Sequence, residues 1–330
     1  MCSETGFEDE AASDTTQSQM RSNFCTVRQY RASDFDGYVR LHSRAAGSSQ
    51  VGRCTSPQAL AEGLSYPGFS PERDLFVAEA ADGEIVGCID VRPELDIGRA
   101  VITYLVHPAH HAGDMATQLF DSALRRASSM GARLAHVSVS EDDAAARGLL
   151  SGLGFTPARR FLEMSLALPG SSMGSPNRAE YRCRQFQPGD EARLAVLQNR
   201  SFEGSWGFHP NTAEEIAHRV NLSDSRPEGI VFICDEGRPV GYCWTTVSPD
   251  EDTASGVRKG RIHMMGTDPD HRGKGIGRAA LLAGISYLQS RGLEVAELTV
   301  DSQNSEARSL YESVGFKVWA TSTWYEKALG

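Results

Sequence analysis

A short glycine-rich stretch is the part of this sequence best suited to chemistry. Residues Arg272–Arg278 (RGKGIGR) lie between an apolar run, Ile262–Thr267, and a helical pattern that begins at Ile276. Glycines at alternate positions allow the backbone to approach a ligand closely. A helix that begins within the stretch contributes unpaired N–H groups and the positive end of its dipole, and the basic side chains add full charges. The stretch therefore predicts a site for a phosphate or diphosphate group.

A second motif, Asn304–Phe316 (NSEARSLYESVGF), follows one predicted strand later. Its apolar residues recur at helical spacing and form one face of a helix: Ala307, Leu310, Tyr311 and Val314. A packing interpretation makes Tyr311 a core aromatic and Asn304 the N-cap of the helix. This interpretation explains the apolar face, but it does not explain why the motif follows a phosphate site.

Two other phosphate-binding motifs fit the glycine-rich stretch less well. A Walker A loop is excluded because no Gly-Lys-Ser/Thr occurs in it. Gly275, Gly277 and Ala280 fit the G-x-G-x-x-A pattern of dinucleotide-binding folds. In those folds, however, the first glycine follows its strand almost directly, whereas Asp268–Lys274 intervenes here.

Together the two motifs resemble those of the GNAT superfamily of N-acyltransferases. Arg272-x-x-Gly275-x-Gly277 matches the family's diphosphate loop, and Asn304–Phe316 matches the segment with an Asn near the pantetheine and a Tyr near the sulfur of CoA. The resemblance implies acetyl-CoA as co-substrate. It also implies a cofactor site made by the end of the apolar strand, the glycine-rich stretch and one asparagine: Met265, Gly266, Thr267, Arg272, Gly273, Lys274, Gly275, Ile276, Gly277, Arg278 and Asn304.

The same resemblance implies that Tyr311 protonates the leaving thiolate. A phenol with a pKa of about 10 is a workable donor to a thiolate whose thiol has a pKa of about 8.5. Many family members carry a glutamate as general base on the central strand, but this position is Arg261 here. His263 lies on the same predicted strand face and is the candidate base. A half-buried structural histidine is an equal interpretation, and Asp301 or a chain of waters are alternatives.

The acceptor pocket is expected at Ser201–Pro210, which connects the first two helices of the C-terminal half. In the family this connection lines the acceptor site. Its ring-bearing residues Trp206, Phe208 and His209 are the substrate-binding candidates.

An internal duplication supports a tandem architecture. At an offset of 161 residues the sequence matches itself without gaps, so that Pro108 corresponds to Pro269 and Gly154-Phe155 to Gly315-Phe316. The element order recurs as well. We therefore predict an α/β fold, of the α+β type with a mixed sheet, arranged as two tandem GNAT-type acyltransferase domains related by a pseudo-twofold axis.

The first copy of the site lacks the chemical groups of the second. Asp114 replaces Gly275, and Leu150 replaces Tyr311. We expect an acidic disordered tail at residues 1–22, a degenerate N-terminal domain at 23–168, a linker at 169–180 and a catalytic domain at 181–330.

Composition limits the remaining possibilities. The 330-residue chain is 40% apolar and has a net charge of −10, which argues against general nucleic-acid binding. Its seven cysteines include no C-x-x-C pair, and His107, His110 and His111 have no further ligands at metal spacing, so no metal is expected. No secretory signal or membrane span is apparent. We expect a cytoplasmic monomer or homodimer.

The resulting prediction is an acetyl-CoA-dependent N-acetyltransferase that acts on the primary amine of a small molecule. The alternative is a non-catalytic acyl-CoA sensor, because one half has already lost its site.

Overall fold

The computed structural model describes residues 25–45, 56–110, 114–168, 181–247 and 256–330. The predicted tail, residues 1–22, and the predicted linker, residues 169–180, lie outside the described residues.

Within these described residues, each half of the chain contributes six strands. The N-terminal half forms β1 (Cys25–Gln29), α1 (Phe35–Arg44), α2 (Pro57–Leu64), α3 (Pro71–Asp74), β2 (Leu75–Ala80), β3 (Ile85–Glu94), β4 (Arg99–Val106), α4 (Met115–Ser129), β5 (Leu134–Ser140), α5 (Ala144–Gly152) and β6 (Thr156–Ala167). The C-terminal half forms β7 (Arg182–Gln185), α6 (Glu191–Phe202), α7 (Ala213–Val220), β8 (Ser225–Asp235), β9 (Arg238–Thr246), β10 (Lys259–Thr267), α8 (Ile276–Ser290), β11 (Val295–Asp301), α9 (Ser305–Val314) and β12 (Lys317–Ala328).

All twelve strands belong to one mixed sheet whose order is β1-β2-β3-β4-β5-β12-β6-β11-β10-β9-β8-β7. The two halves exchange their last strands: β6 pairs with β11, and β12 pairs with β5. The two exchanged strands also pair with each other, antiparallel, at the centre of the sheet. The strand order is therefore symmetric about β6 and β12, as a pseudo-twofold arrangement requires.

One sheet face carries the main apolar cores. Helices α4 and α5 cover this face in the N-terminal half, and α8 and α9 cover it in the C-terminal half. Helices α1, α2, α6 and α7 pack on the opposite face. Because side chains alternate along a strand, the exchanged strand β6 sends Leu162 and Met164 into the core and Phe161 and Glu163 to the opposite face.

The middle of that opposite face is lined by polar and aromatic side chains instead of an apolar layer. We call this surface the central groove and define it by its strand residues, which come from β5, β12, β6 and β11: His136, Ser138, Ser322, Trp324, Glu326, Phe161, Glu163, Glu297, Thr299 and Asp301. Residues of both halves therefore face one surface.

The parallel strands β10 and β11 pair only at Lys259–Arg261 with Val295–Glu297. Beyond Arg261, β10 continues to Thr267 along β9 and is no longer paired with β11. We call the resulting gap the β10–β11 opening. It lies between the glycine-rich stretch and α9, where the sequence places its chemical motifs.

Candidate functional site

The glycine-rich stretch forms the turn between β10 and α8. Gly273 and Gly275 have φ angles of +75° and +83°, in the left-handed region that side chains disfavour. Gly275 is the N-cap of α8 and offers no side-chain cap, so the first N–H groups of the helix have no side-chain partner there. A Cβ on Gly277 would lie 3.5 Å from both Leu310 and Thr267, so β10, α8 and α9 converge at this point.

Hydrogen bonds and ion pairs hold this turn in place. Arg272 donates to the carbonyl oxygen of Ser201 at 2.9 Å, and Arg278 donates to Ser313 Oγ on α9 at 3.0 Å. Asp268, at the end of the strand, accepts two hydrogen bonds from Arg200 at 3.0 Å each. The Arg200 guanidinium lowers the pKa of this buried carboxyl below its usual range. Contacts within the protein thus hold the glycine-rich turn in place, while Lys274 stays exposed.

Tyr311 lies on α9 at the edge of the core beneath the opening. Its side chain is 8% exposed, and its ring packs 6.0 Å from that of Phe316. Burial raises the pKa of its phenol above 10, and the neighbouring Cys243 adds to the effect. Tyr311 is therefore a neutral proton carrier at neutral pH. The phenol serves both as core aromatic and as a group near the site.

Asn304 is the N-cap of α9, and its side chain accepts from the N–H of Ala307 at 3.1 Å. Asp143 caps α5 in the same way in the N-terminal half. This capping role belongs to both halves, so it does not by itself indicate a cofactor contact.

The end of β10 lines the opening with the residues expected along the pantetheine arm. Met265, Gly266 and Thr267 pair with Cys243, Tyr242 and Gly241 of β9 on one side. On the side of β11 they have no strand partner among the described residues. A Cβ on Gly266 would lie 2.7 Å from Ser201 Cβ, so only glycine allows α6 to approach the strand here.

His263 stands at a bulge in β10. The register with β9 shifts between Ile262 and Met264, and the imidazole packs edge-on against Trp244 with a ring separation of 5.4 Å. The side chain has accessible surface, but the protein around it limits its hydration. Loss of hydration lowers its pKa from 6.5 to about 3, and the positive charges of Arg219 and Arg261 act in the same direction. His263 is therefore neutral at neutral pH and holds an accepted proton only weakly.

The three ring-bearing candidates of the α6–α7 connection lie in different surroundings. Trp206 reaches across the groove to the N-terminal half, where it stacks on His136 at 5.2 Å. Arg99 donates to the carbonyl oxygen of Gly207 at 2.6 Å and fixes this crossing. Phe208 stacks on Phe202 at 5.3 Å, and His209 lies 3.4 Å from Asp96. Trp206 is thus the candidate that faces the groove between the halves.

The N-terminal copy of the site differs in backbone as well as in side chains. Asp114 precedes α4 with a φ angle of −74°, where Gly275 has +83°. Leu150 takes the place of Tyr311 and is fully buried in the core. Residues 111–113 of this copy lie outside the described residues.

Sequence reasoning did not identify Glu163 as a groove residue. Its carboxylate accepts a hydrogen bond from Thr299 at 2.7 Å and pairs with Arg261 at 3.2 Å. Glu163 belongs to the N-terminal half, and strand exchange brings it to the C-terminal half's opening. Strict alternation along Phe161–Leu166, with one acidic residue among apolar ones, was the available signal.

Within the described ranges, no group of three or more His, Cys, Asp or Glu side chains is placed to hold a metal ion. Over the same ranges, no helix is long and apolar enough to cross a membrane.

Comparison with known proteins decides the family. Residues 49–155 and 192–316 each match the profile of the Acetyltransferase (GNAT) family. The chain belongs to this family. The two matches confirm the predicted tandem arrangement of GNAT domains.

Named relatives cover most of the chain. The mycothiol acetyltransferase of Saccharomonospora viridis is 35% identical over 284 residues, which is 82% of this chain and 89% of the relative. The mycothiol acetyltransferase of Thermobispora bispora is 35% identical over 301 residues, which is 89% of this chain and 96% of the relative. Family and relatives confirm the prediction of an N-acetyltransferase and favour it over a non-catalytic sensor.

Solved structures share the complete architecture. The tandem GNAT protein from the clavulanic acid biosynthesis pathway superposes with a TM-score of 0.73 at 16% identity and covers 93% of this chain and 99% of its own. The GCN5-related N-acetyltransferase from Sphaerobacter thermophilus superposes with a TM-score of 0.68 at 22% identity, covering 92% and 96%. At these identities the likeness concerns the fold alone, and it confirms the predicted fold class.

Proposed function

We propose that this GNAT acetyltransferase transfers an acetyl group from acetyl-CoA to the primary amine of a small molecule, and that the reaction takes place at the β10–β11 opening of the C-terminal half. The observation that carries the proposal is the convergence of the left-handed Gly275 turn, the unpaired end of β10 and Tyr311 on α9. The diphosphate binds the free N–H groups at the start of α8. The pantetheine arm enters the opening along Met265–Thr267.

The remaining steps follow from the groups around the opening. Backbone N–H groups at the unpaired end of β10 polarise the thioester carbonyl. The amine reaches this carbonyl from the central groove and attacks as a neutral nitrogen. Groove water takes up the amine's proton, and His263, which stays neutral because of its low pKa, offers this water a hydrogen-bond acceptor. Tyr311 protonates the departing sulfur.

A second candidate is the reaction for which the relatives are named, a mycothiol-synthase-like acetylation. The 35% identity to two such enzymes favours it.

The test is release of free thiol from acetyl-CoA by the full-length chain with a panel of primary amines, combined with calorimetry of acetyl-CoA binding. We expect thiol release with at least one small amine and one acetyl-CoA site per chain. Gly275→Asp should abolish this binding, because it strains the left-handed turn and places a negative charge beside the diphosphate.

Gly131→Asp is the matched control. Gly131 has a φ of +89° and open space around it, but it lies after α4, far along the chain from the loop. It should retain acetyl-CoA binding. Two equal sites per chain, or unchanged binding in Gly275→Asp, would contradict the assignment. If acetyl-CoA binds but no amine of the panel causes thiol release, the proposed class of acceptor is wrong.

A further inference from the structure

Glu163, Arg261 and Thr299 form a cluster at the mouth of the β10–β11 opening. They come from three neighbouring strands, β6, β10 and β11, and face the central groove. Glu163 Oε2 accepts from Thr299 Oγ1 at 2.7 Å and from Arg261 Nη2 at 3.2 Å, and Arg261 also donates to Thr299. The cluster lies where β10 and β11 separate, because Arg261 is the last β10 residue paired with β11.

The ion pair in this cluster is only half satisfied. Glu163 is 5% exposed, yet its Oε1 has no hydrogen-bond partner in the part of the chain that the structure describes. The Nε and Nη1 groups of Arg261 have none there either. The Glu163 side chain is buried, at 7% exposure, whereas that of Arg261 is partly exposed, at 29%. Burial of a carboxylate in an ion pair is costly unless its remaining acceptor is used. An acceptor oxygen and guanidinium donors therefore stand side by side, ready for a ligand.

A second guanidinium adds positive charge to the same region. Arg219 on α7 donates to the Tyr66 hydroxyl at 2.9 Å and lies over the Tyr66 ring, and no carboxylate pairs with it in the described residues. Its charge and that of Arg261 both help to lower the pKa of His263. Both guanidinium groups are close enough to His263 to act on its pKa, and the neighbouring groove carboxylates Glu297 and Asp301 are already paired with Lys259 and Arg159. A ligand group that meets the two guanidinium groups is therefore favoured when it is anionic.

The N-terminal half shows that the fold does not require this cluster. The positions that correspond to Glu163, Arg261 and Thr299 at the offset of 161 residues are Trp324, Ala100 and Ser138. These residues occupy the same strands of the exchanged sheet in the other half. The ion pair is therefore present only in the half with the Gly275 turn and Tyr311.

We propose that the acceptor is an amino acid with a free carboxylate. Glu163 binds its ammonium group through Oε1, and Arg261 together with Arg219 binds its carboxylate. This assignment rests on the proposed function and names the class of its acceptor. The ammonium loses one proton to groove water, the nitrogen then forms a bond to the acetyl carbonyl carbon, and the C–S bond breaks. Tyr311 gives its proton to the sulfur, and its phenolate regains a proton that the acylated nitrogen loses through groove water. The products are therefore an N-acetyl amino acid and CoA, with Tyr311 restored.

The first experiment measures binding without turnover. The full-length chain is saturated with desulfo-CoA, which cannot carry an acetyl thioester, and titrated calorimetrically with the L-amino acids. The amino acid that binds most tightly is then compared with its amide and with its decarboxylated amine. We expect the free acid to bind at least ten-fold more tightly than either analogue. Equal affinity of acid and amide, or no binding by any amino acid, overturns the proposal.

Substitutions of Glu163 and Arg261 test the contact with the ammonium group and the contact with the carboxylate separately. Arg261→Gln should abolish the preference for the acid over the amide, whereas Glu163→Gln should weaken acid and amide by similar factors of ten or more. Asp34→Asn is the matched control, because Asp34 forms an ion pair with Arg28 between β1 and α1, outside the central groove. It should change neither affinity.

A purely structural role for the ion pair gives a different result. If it only holds the exchanged strand, Glu163→Gln and Arg261→Gln lower the melting temperature and leave the affinity ratios unchanged. The double variant, which removes both charges together, keeps the test usable where a single variant folds poorly.

Turnover distinguishes failure of this assignment from failure of the proposed function. Thiol release with simple amines but not with amino acids overturns the amino-acid acceptor and supports the acetyltransferase proposal. Amino-acid binding without thiol release from acetyl-CoA supports the ligand site and contradicts the proposed reaction.

Discussion

Gly275 and Tyr311 show how single residues separate the two halves of a duplicated fold. Each has a counterpart at the same place in the N-terminal half, Asp114 and Leu150. Leu150 is fully buried and Tyr311 is 8% exposed, so both fill the core beneath their sheet. Because Leu150 supports the fold without a hydroxyl, packing does not account for the phenol of Tyr311. The hydroxyl is the part of that side chain left for chemistry.

Tyr311→Phe therefore tests chemistry with little effect on structure. We expect kcat to fall at least ten-fold, which corresponds to about 1.4 kcal/mol of lost transition-state stabilisation. The Kd of acetyl-CoA should change by no more than about two-fold, since the phenol acts on the sulfur only as it leaves. Steady-state kinetics with the best amine and calorimetry provide the two measurements.

Tyr325→Phe is a suitable control because Tyr325 is similarly buried, at 7% exposure, in the core of the N-terminal half. Its kcat should equal that of the wild type. An unchanged rate in Tyr311→Phe would remove Tyr311 from the mechanism.

Site residues that are contiguous in the sequence could be predicted, whereas those that only folding brings together could not. The loop from Arg272 to Arg278 could be predicted because its glycines, charges and helix start are contiguous. Glu163 could not, because it is 98 residues from Arg261 and reaches it only through strand exchange. The low pKa of His263 arises first from loss of hydration and then from the charge of Arg219, which lies on another element. Such environments arise from packing and leave no local pattern.

At the scale of elements, a duplicated ion pair ties the first strand of each half to its first helix. Arg28 pairs with Asp34, and Arg184 pairs with Asp190, through two hydrogen bonds each. Each carboxylate also accepts a backbone N–H just before the helix, from Arg31 or Gln187. The Arg184 guanidinium lowers the pKa of Asp190 from 3.8 to about 2 against the opposing effect of burial. This pair therefore stabilises the folded state when it is ionised.

Asp190→Asn should lower stability by on the order of 1–2 kcal/mol at pH 7, an amount reduced by the partial exposure of Arg184. The contribution of Asp190 is fully present above the pKa of its unfolded carboxyl, near 4, and is lost as the pH falls through about 2. The difference in unfolding free energy between the wild type and Asp190→Asn should consequently become smaller from pH 4 to pH 2. Thermal or urea unfolding at several pH values measures it.

Asp121→Asn serves as control, because Asp121 is exposed and forms no ion pair within the described residues. It should unfold like the wild type at every pH. If the difference in unfolding free energy for Asp190→Asn stays constant down to pH 2, the pair stabilises the fold independently of the ionisation of Asp190.

Element positions were predictable to a greater extent than element partners. The apolar spacing within Asn304–Phe316 predicted a helix with Asn304 as its N-cap, and the structure has this helix at Ser305–Val314. Strand exchange was not predictable, because β6 and β12 have the same length and follow equivalent helices in the two halves. The choice of partner strand depends on contacts across the whole sheet, which leave no local pattern in the sequence.

At the scale of the molecule, the exchange makes the two halves share their central strands. β12 of the C-terminal half completes the sheet of the N-terminal half, and β6 does the same in return. Loss of either half therefore removes a central strand from the other. We expect the chain to unfold as one cooperative unit in spite of its tandem architecture.

Leu119→Ala tests this expectation from one side of the molecule. Leu119 is fully buried on α4 and packs over Gly87 of β3, so its truncation should cost about 2–5 kcal/mol. If the halves unfold together, amide hydrogen exchange in β11, which belongs to the other half, should lose the same protection free energy as exchange in β3. Val196→Ala, at a position that is 59% exposed, should change neither by more than about 0.5 kcal/mol. If amide exchange in β11 keeps its wild-type protection while β3 loses protection, the two halves open independently. The strand exchange would then join the halves without coupling their stability.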